Sequence, residues 1–227
     1  MQDDQQTASQ IAEAAYLEVF RTDFSHPGFA LFNLGPEFGS LQQRRLMVLL
    51  KDELARLDHR HRGRFLYYQS LGRFDQQATT KPHRDGGPDE SILMLGYEPT
   101  VVQSRISLLE YSKCAFELGI TPAEFLDRNN PMFPDGLNRL ANYTTTPTEF
   151  DHSSFLILVI NNSVSAFGKG RLQGVLHTAE IVTPDAEEVR LINSTMIGCG
   201  NHPKASASSS DVADFISTDQ IRRATYQ

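Results

Sequence analysis

The sequence predicts a mainly β domain, a sandwich or jelly-roll barrel with helices packed outside it, on three observations. Strand-like segments crowd the chain after residue 63, at 65–71, 91–97, 105–111, 155–161, 175–182 and 189–197. Turn signals separate them, at Gly86-Gly87-Pro88, Gly168-Lys169-Gly170 and Pro184-Asp185. Long helical patterns do not alternate with the strands, as a parallel βαβ sheet would require.

Helical periodicity belongs to the first part of the chain. In 11–20, Ile11, Ala14, Ala15, Leu17, Val19 and Phe20 recur at helical spacing behind Ser9 as N-cap. In 41–57, Leu46, Leu49, Leu50, Leu54 and Leu57 form a stripe behind Ser40. A turn at Ser25-His26-Pro27-Gly28 and a short strand at 29–34 lie between them. Segment 119–150 interrupts the strands with a short capped helix at 121–126 and Asn, Pro and Thr beyond, the length of a lid or binding loop. Ala205 to Ser210 is low in complexity and reads as a mobile tail, with a closing helix over 211–223. The expected organisation is one domain over 1–227: helical support in 1–63, a β-core in 64–200 carrying the insert, and the tail and helix in 201–227.

Composition narrows the function classes. At 227 residues and 40% hydrophobic, the chain has enough core to fold without disulfides or a structural metal, so a metal site would serve chemistry. A net charge of −7 argues against a nucleic acid as main partner, since phosphate contacts need a cationic excess. The apolar runs fall short of a membrane span, and the acidic, amidic N-terminus does not read as a signal peptide. Two cysteines, Cys114 and Cys199, fit a reducing, cytoplasmic setting.

The sharpest local pattern is Thr80-Lys81-Pro82-His83-Arg84-Asp85-Gly86-Gly87. In an extended segment His83 and Asp85 project to one side, where an imidazole and a carboxylate can grip one metal ion. HxD alone is short enough to arise by chance, and an exposed turn pair is its plain alternative. A third donor is available in His177, within the apolar stretch Val175-Leu176-His177-Thr178-Ala179; taken alone it reads as a core histidine. Thirteen residues later comes Arg190, and alternation places Arg190, Ile192 and Ser194 on one face, a cationic and polar lining suited to a carboxylate.

HxD, a distant His on a late strand and a downstream Arg, in that order over residues 65–197, resemble the Fe(II)/2-oxoglutarate-dependent dioxygenase superfamily. The resemblance implies a double-stranded β-helix (jelly-roll) core. It implies His83, Asp85 and His177 as Fe(II) ligands, and a basic residue that holds the distal carboxylate of the cosubstrate, 2-oxoglutarate. It also implies oxidative decarboxylation of that cosubstrate by dioxygen to succinate and CO2, coupled to attack on a small-molecule or peptide substrate. Halogenating relatives lack the carboxylate, so Asp85 favours hydroxylation or desaturation. The spacing departs from the family's, in which the Arg stands about ten residues after the His with a Ser or Thr two beyond; here Ser194 is four beyond. Arg190 is the leading anchor, with Arg105 a competitor and Lys81 a third choice. Two other readings stay open: a cupin-like metalloenzyme indifferent to 2-oxoglutarate, and a non-catalytic β-barrel that binds a small ligand.

The remaining motifs read plainly. Arg56, His59, Arg60, His61, Arg62 and Arg64 form a basic cluster at a helix C-terminus, where the dipole favours cations, and read as a solvated helix end. Asp151-His152-Ser153-Ser154 lacks the setting of a hydrolase nucleophile.

Overall fold

The computed structural model describes residues 2–223; Met1 and 224–227, the outer ends of the expected domain, lie outside it. Two helices lead. α1 (Gln2–Val19) begins well before Ser9, where Asp4 in the first turn suits the helix dipole, so Ser9 sits inside the helix and not at its cap. Its buried stripe is Ala8, Ala12, Ala15 and Val19, all fully buried, while Leu17 is 58% exposed. The alanines let α1 lie close against α2 (Ser40–Arg62). That second helix ends at Gly63, whose left-handed φ of 65° lets its N–H close on the His59 carbonyl. The basic cluster there is only partly solvated: Arg62 is paired with the fully buried Asp58 at 2.5 Å. Between the two helices, β1 (Phe29–Gly35) adds an edge strand to the main sheet.

The β-core is two sheets. The larger runs in the order β1, β6 (Phe155–Asn161), β3 (Ser91–Tyr97), β8 (Leu191–Gly200), β2 (Phe65–Asp75) and β9 (Arg222–Arg223). Its pairs are antiparallel except for the two-residue β9, which lies parallel to the end of β2. The smaller sheet is β5 (Thr144–Thr145), β4 (Gln103–Leu109) and β7 (Leu176–Thr183), extended by an isolated bridge between His83 and His177.

Side-chain alternation sorts the core into layers. Ile92, Met94, Ile157, Val159 and Ile197 face the helices, and Phe215 of α6 (Ser209–Ser217) joins that layer. Leu93, Leu95, Tyr97, Leu156, Leu158 and Ile160 face the other way, against Ile106, Leu108, Val175 and Ala179 of the small sheet's side. β3 and β6 are therefore buried along their whole length.

The insert begins earlier than 119. β4 stops at Leu109, and α3 (Tyr111–Glu117), α4 (Pro122–Arg128) and α5 (Pro134–Arg139) follow around Tyr111, Phe125 and Leu140. Thr121 and Glu124 form the capping box that starts α4. The low-complexity tail is tied down: the Ser206 hydroxyl accepts from the Tyr68 N–H, and Ser208 caps α6. α6 ends at Ser217, not at 223, and the chain turns back to pair β9 with β2. Among the described residues no helix is long and apolar enough to cross a membrane.

Candidate metal centre

Three segments meet at one end of the space between the sheets. Residue 83 and residue 177 pair as a bridge, each N–H donating to the other's carbonyl at 3.0 Å, which sets their rings 4.4 Å apart. Thr80 continues this seam, donating its N–H to the Ala179 carbonyl and accepting the Ala179 N–H at its hydroxyl. Asp85 reaches back to the pair, with a carboxylate oxygen 3.4 Å from His83 Nε2. One donor atom from each of His83, Asp85 and His177 can be chosen so that all lie within 4.8 Å of one another.

The surroundings hold His177 and Asp85 in forms that can ligate a cation and pair His83 with Asp85. Lys81 O lies 2.7 Å from His83 Nδ1; an Nδ1–H donated there leaves the Nε2 lone pair on the Asp85 side. Burial lowers His177 to about 4, more than the Asp85 charge raises it, so the ring is neutral near pH 7. Burial also pulls His83 down and Asp85 up. Their mutual hydrogen bond and charges outweigh it, so His83 ends above its ordinary range and Asp85 below. Nδ1 of His177 is buried with no hydrogen-bond partner among the described residues. A neutral His177 with an unsatisfied buried nitrogen, the Asp85 carboxylate and His83 once it gives up its proton fit a divalent cation of intermediate softness.

The loop bearing Asp85 is clamped by a residue absent from the sequence reading. Asn162, fully buried, accepts the Asp85 N–H at 2.9 Å and donates to the Asp85 carbonyl at 3.0 Å. Arg84 donates to the Asn162, Gly87 and Pro88 carbonyls and braces the same turn. The available signal was the polar triplet Asn161-Asn162-Ser163, which ends an otherwise apolar strand.

The triad opens onto a cavity of about 390 Å³. Cross-strand register builds its large-sheet wall in rows. One row is Leu93, Met196 and Ser70, and the next is Leu95, Ser194 and Gly72. The third runs Tyr97, Ile192, Phe74 and Arg222. Gly72 keeps the middle low: a Cβ there would lie 2.7 Å from the Phe74 ring. Ile106, His177 and Ala179 line the opposite wall.

The two arginine anchors fare differently. Arg105 lies outside the cavity: it alternates with the inward Ile106, so its side chain stands on the outer face, 59% exposed and paired with Glu180 at 2.9 Å. Arg190 is 1% exposed, but it sits one layer behind the wall. Its Nε donates to the Ser104 hydroxyl, its Nη1 to the carbonyl and side-chain oxygens of Gln76, and its guanidinium lies 5.2 Å from the Tyr97 ring. Gln76 and Tyr97 are the wall residues it supports, and burial pushes the Tyr97 hydroxyl up to about 12 while Arg190 pulls it back. Ser194 lines the cavity. Lys81 points to the insert, donating to the Met132 carbonyl. At 151–154 there is no relay: Asp151 accepts from Ser153 and Ser154, while His152 meets the Ser104 backbone.

No model of a known protein family matches the chain, and no curated protein is significantly similar to it.

Proposed function

We propose that the protein is an Fe(II)- and 2-oxoglutarate-dependent dioxygenase that hydroxylates a small-molecule or peptide substrate, working in a reducing, cytoplasmic setting. The observation that carries the reading is the convergence of His83, Asp85 and His177 at the edge of a largely apolar cavity. Two imidazoles and one carboxylate are the donor set of non-heme iron oxygenases, which leave further positions open to other ligands. The strand pairing supports a jelly-roll reading of the core. Numbering the segments β2, 79–83, β3, β4, β5, β6, β7 and β8 from one to eight, first pairs with last, second with seventh, third with sixth and fourth with fifth. Two buried free thiols agree with a reducing compartment.

When bound, iron with 2-oxoglutarate would supply the oxidising chemistry. The chain supplies position and dryness. The His83–His177 bridge fixes two donors on adjacent strands, and the Asn162 clamp fixes the third. Leu93, Leu95, Ile106, Ile192 and Met196 keep water from a substrate packed against them. Arg190, acting with Tyr97 and Gln76, presents a cationic end suited to the cosubstrate's distal carboxylate.

One observation favours a second reading. The Arg190 bonds to Ser104 and Gln76 are those of a fold-stabilising residue, which suits a cupin-like metalloenzyme with no need of the oxo acid. An anaerobic titration with Fe(II) and then 2-oxoglutarate separates the two. The dioxygenase predicts a weak visible charge-transfer band that needs both components and is lost in His177→Ala. Iron binding without the band leaves the cupin-like enzyme, and no metal binding overturns both.

A further inference from the structure

The cavity has a cation on its wall that neither anchor accounts for. β9 pairs Arg222 with Phe74, which sets it at the end of the row Tyr97, Ile192, Phe74. Adjacent strands stand about 4.8 Å apart, so Arg222 lies about 14 Å along the sheet from Tyr97. It is the only Lys or Arg among the described residues of this cavity's lining, and its side chain is exposed. It makes no ion pair among the described residues. Asp211 and Asp214 of α6 share a neighbouring groove with it, but Asp211 is engaged by Ser208. Between Tyr97 and Arg222 the wall is Ile192 and Phe74, aliphatic and aromatic, with Ser194 and Gly72 beside them.

We propose that Arg222 is the specificity-determining residue for the primary substrate, pairing with the carboxylate of a small acid whose apolar portion lies along Phe74 and Ile192. This rests on the oxygenase reading for which ligand comes second, not for the binding itself. A bare guanidinium at the rim of an apolar cavity recognises a carboxylate by charge-assisted, two-point hydrogen bonding. The apolar floor demands a tail, and a volume of about 390 Å³ restricts it to metabolite size. The row has Arg222 at one end and, at the other, Tyr97 with Arg190 behind it, so two carboxylates can be held at once, the cosubstrate's beside Tyr97 and the substrate's beside Phe74.

The test uses the full chain and calorimetry, with hexanoate as probe and hexanamide as its uncharged control. Wild type should bind hexanoate more tightly than hexanamide, with or without Mn(II) and saturating 2-oxoglutarate. Arg222→Gln should weaken hexanoate about tenfold or more and leave hexanamide and 2-oxoglutarate within about twofold, since a charge-assisted bond carries about 1.5–3 kcal/mol. Arg222→Lys should retain part of the preference. Equal binding of hexanoate and hexanamide to wild type, no binding of hexanoate, or an unchanged Arg222→Gln would each overturn the proposal. A parallel loss of 2-oxoglutarate would also overturn it, making Arg222 the cosubstrate anchor. Failure of Mn(II) or 2-oxoglutarate to bind, with the hexanoate preference intact, sinks the oxygenase reading alone.

Discussion

The two ends of the cavity are built on opposite plans. At the triad the backbone does the holding: bridge bonds between residues 83 and 177 and the Asn162 clamp on Asp85 leave the side-chain donors turned toward one another. At Arg190 the side chain does the holding, with its bonds directed to Ser104 and Gln76 and its face on Tyr97. The difference separates a group available for chemistry from a group that shapes a wall. An unsatisfied Nδ1 on buried His177 costs stability, and a bound cation offsets it. A guanidinium already bonded to protein oxygens gives up little by staying where it is, and acts on a ligand chiefly through its field and through Tyr97.

Breaking the filled end should therefore show first in stability. Arg190→Met leaves the Ser104 hydroxyl and two Gln76 oxygens without their donor in a buried place, at a cost of about 3 kcal/mol. Urea unfolding reads this directly, and Mn(II) affinity should stay near wild type. An unfolding free energy equal to wild type would show that Arg190 does not hold Gln76 and Ser104, and the contrast between the ends would fail.

The open end should answer in the opposite sense. Asn162→Ala removes both bonds that place Asp85 while leaving the three ligands intact. Residues that orient metal ligands typically change affinity about 10–100-fold, and a loss of that order in Mn(II) titration is expected for the folded variant. A Mn(II) affinity unchanged in Asn162→Ala would mean that the 83–87 loop holds its shape through Arg84 alone.

The sequence carried the triad because metal ligation needs specific residue types at specific spacings, and His83, Asp85 and His177 are scarce types in a chain with 7 histidines. The strands were legible as apolar runs of strand length between turn residues, β3 and β6 being continuous runs buried on both faces. What alternation could not carry was depth. It put Arg190 on the face of Ile192 and Ser194, which line the cavity, but Arg190 precedes β8 and its long side chain is drawn to Ser104, Gln76 and the Tyr97 ring instead of the cavity. The N-terminal stripe misled because it was weighted by size: Leu17 looked like core, yet helix-to-helix closeness selects the alanines. Asn162 and Arg222 stayed hidden since their roles come from neighbours distant in sequence, Asp85 in one case and Phe74 in the other.

Arg105 tests whether orientation rather than charge decides a role, and its expected effect is the smallest. The register of β4 against β7 sets Ile106 opposite Ala179 and Leu108 opposite His177, both facing inward, so Arg105 is forced outward opposite Glu180. A pair this exposed contributes less than about 1 kcal/mol and weakens further with salt. Arg105→Ala should leave Mn(II) and 2-oxoglutarate binding unchanged and lower stability by no more than that amount. A clear loss of 2-oxoglutarate affinity in Arg105→Ala, with stability intact, would require the small sheet to turn its outer face to the ligand. The two-residue period of β4 forbids that while Ile106 and Leu108 stay in the core, so such a result would move the cosubstrate out of the cavity between the sheets altogether.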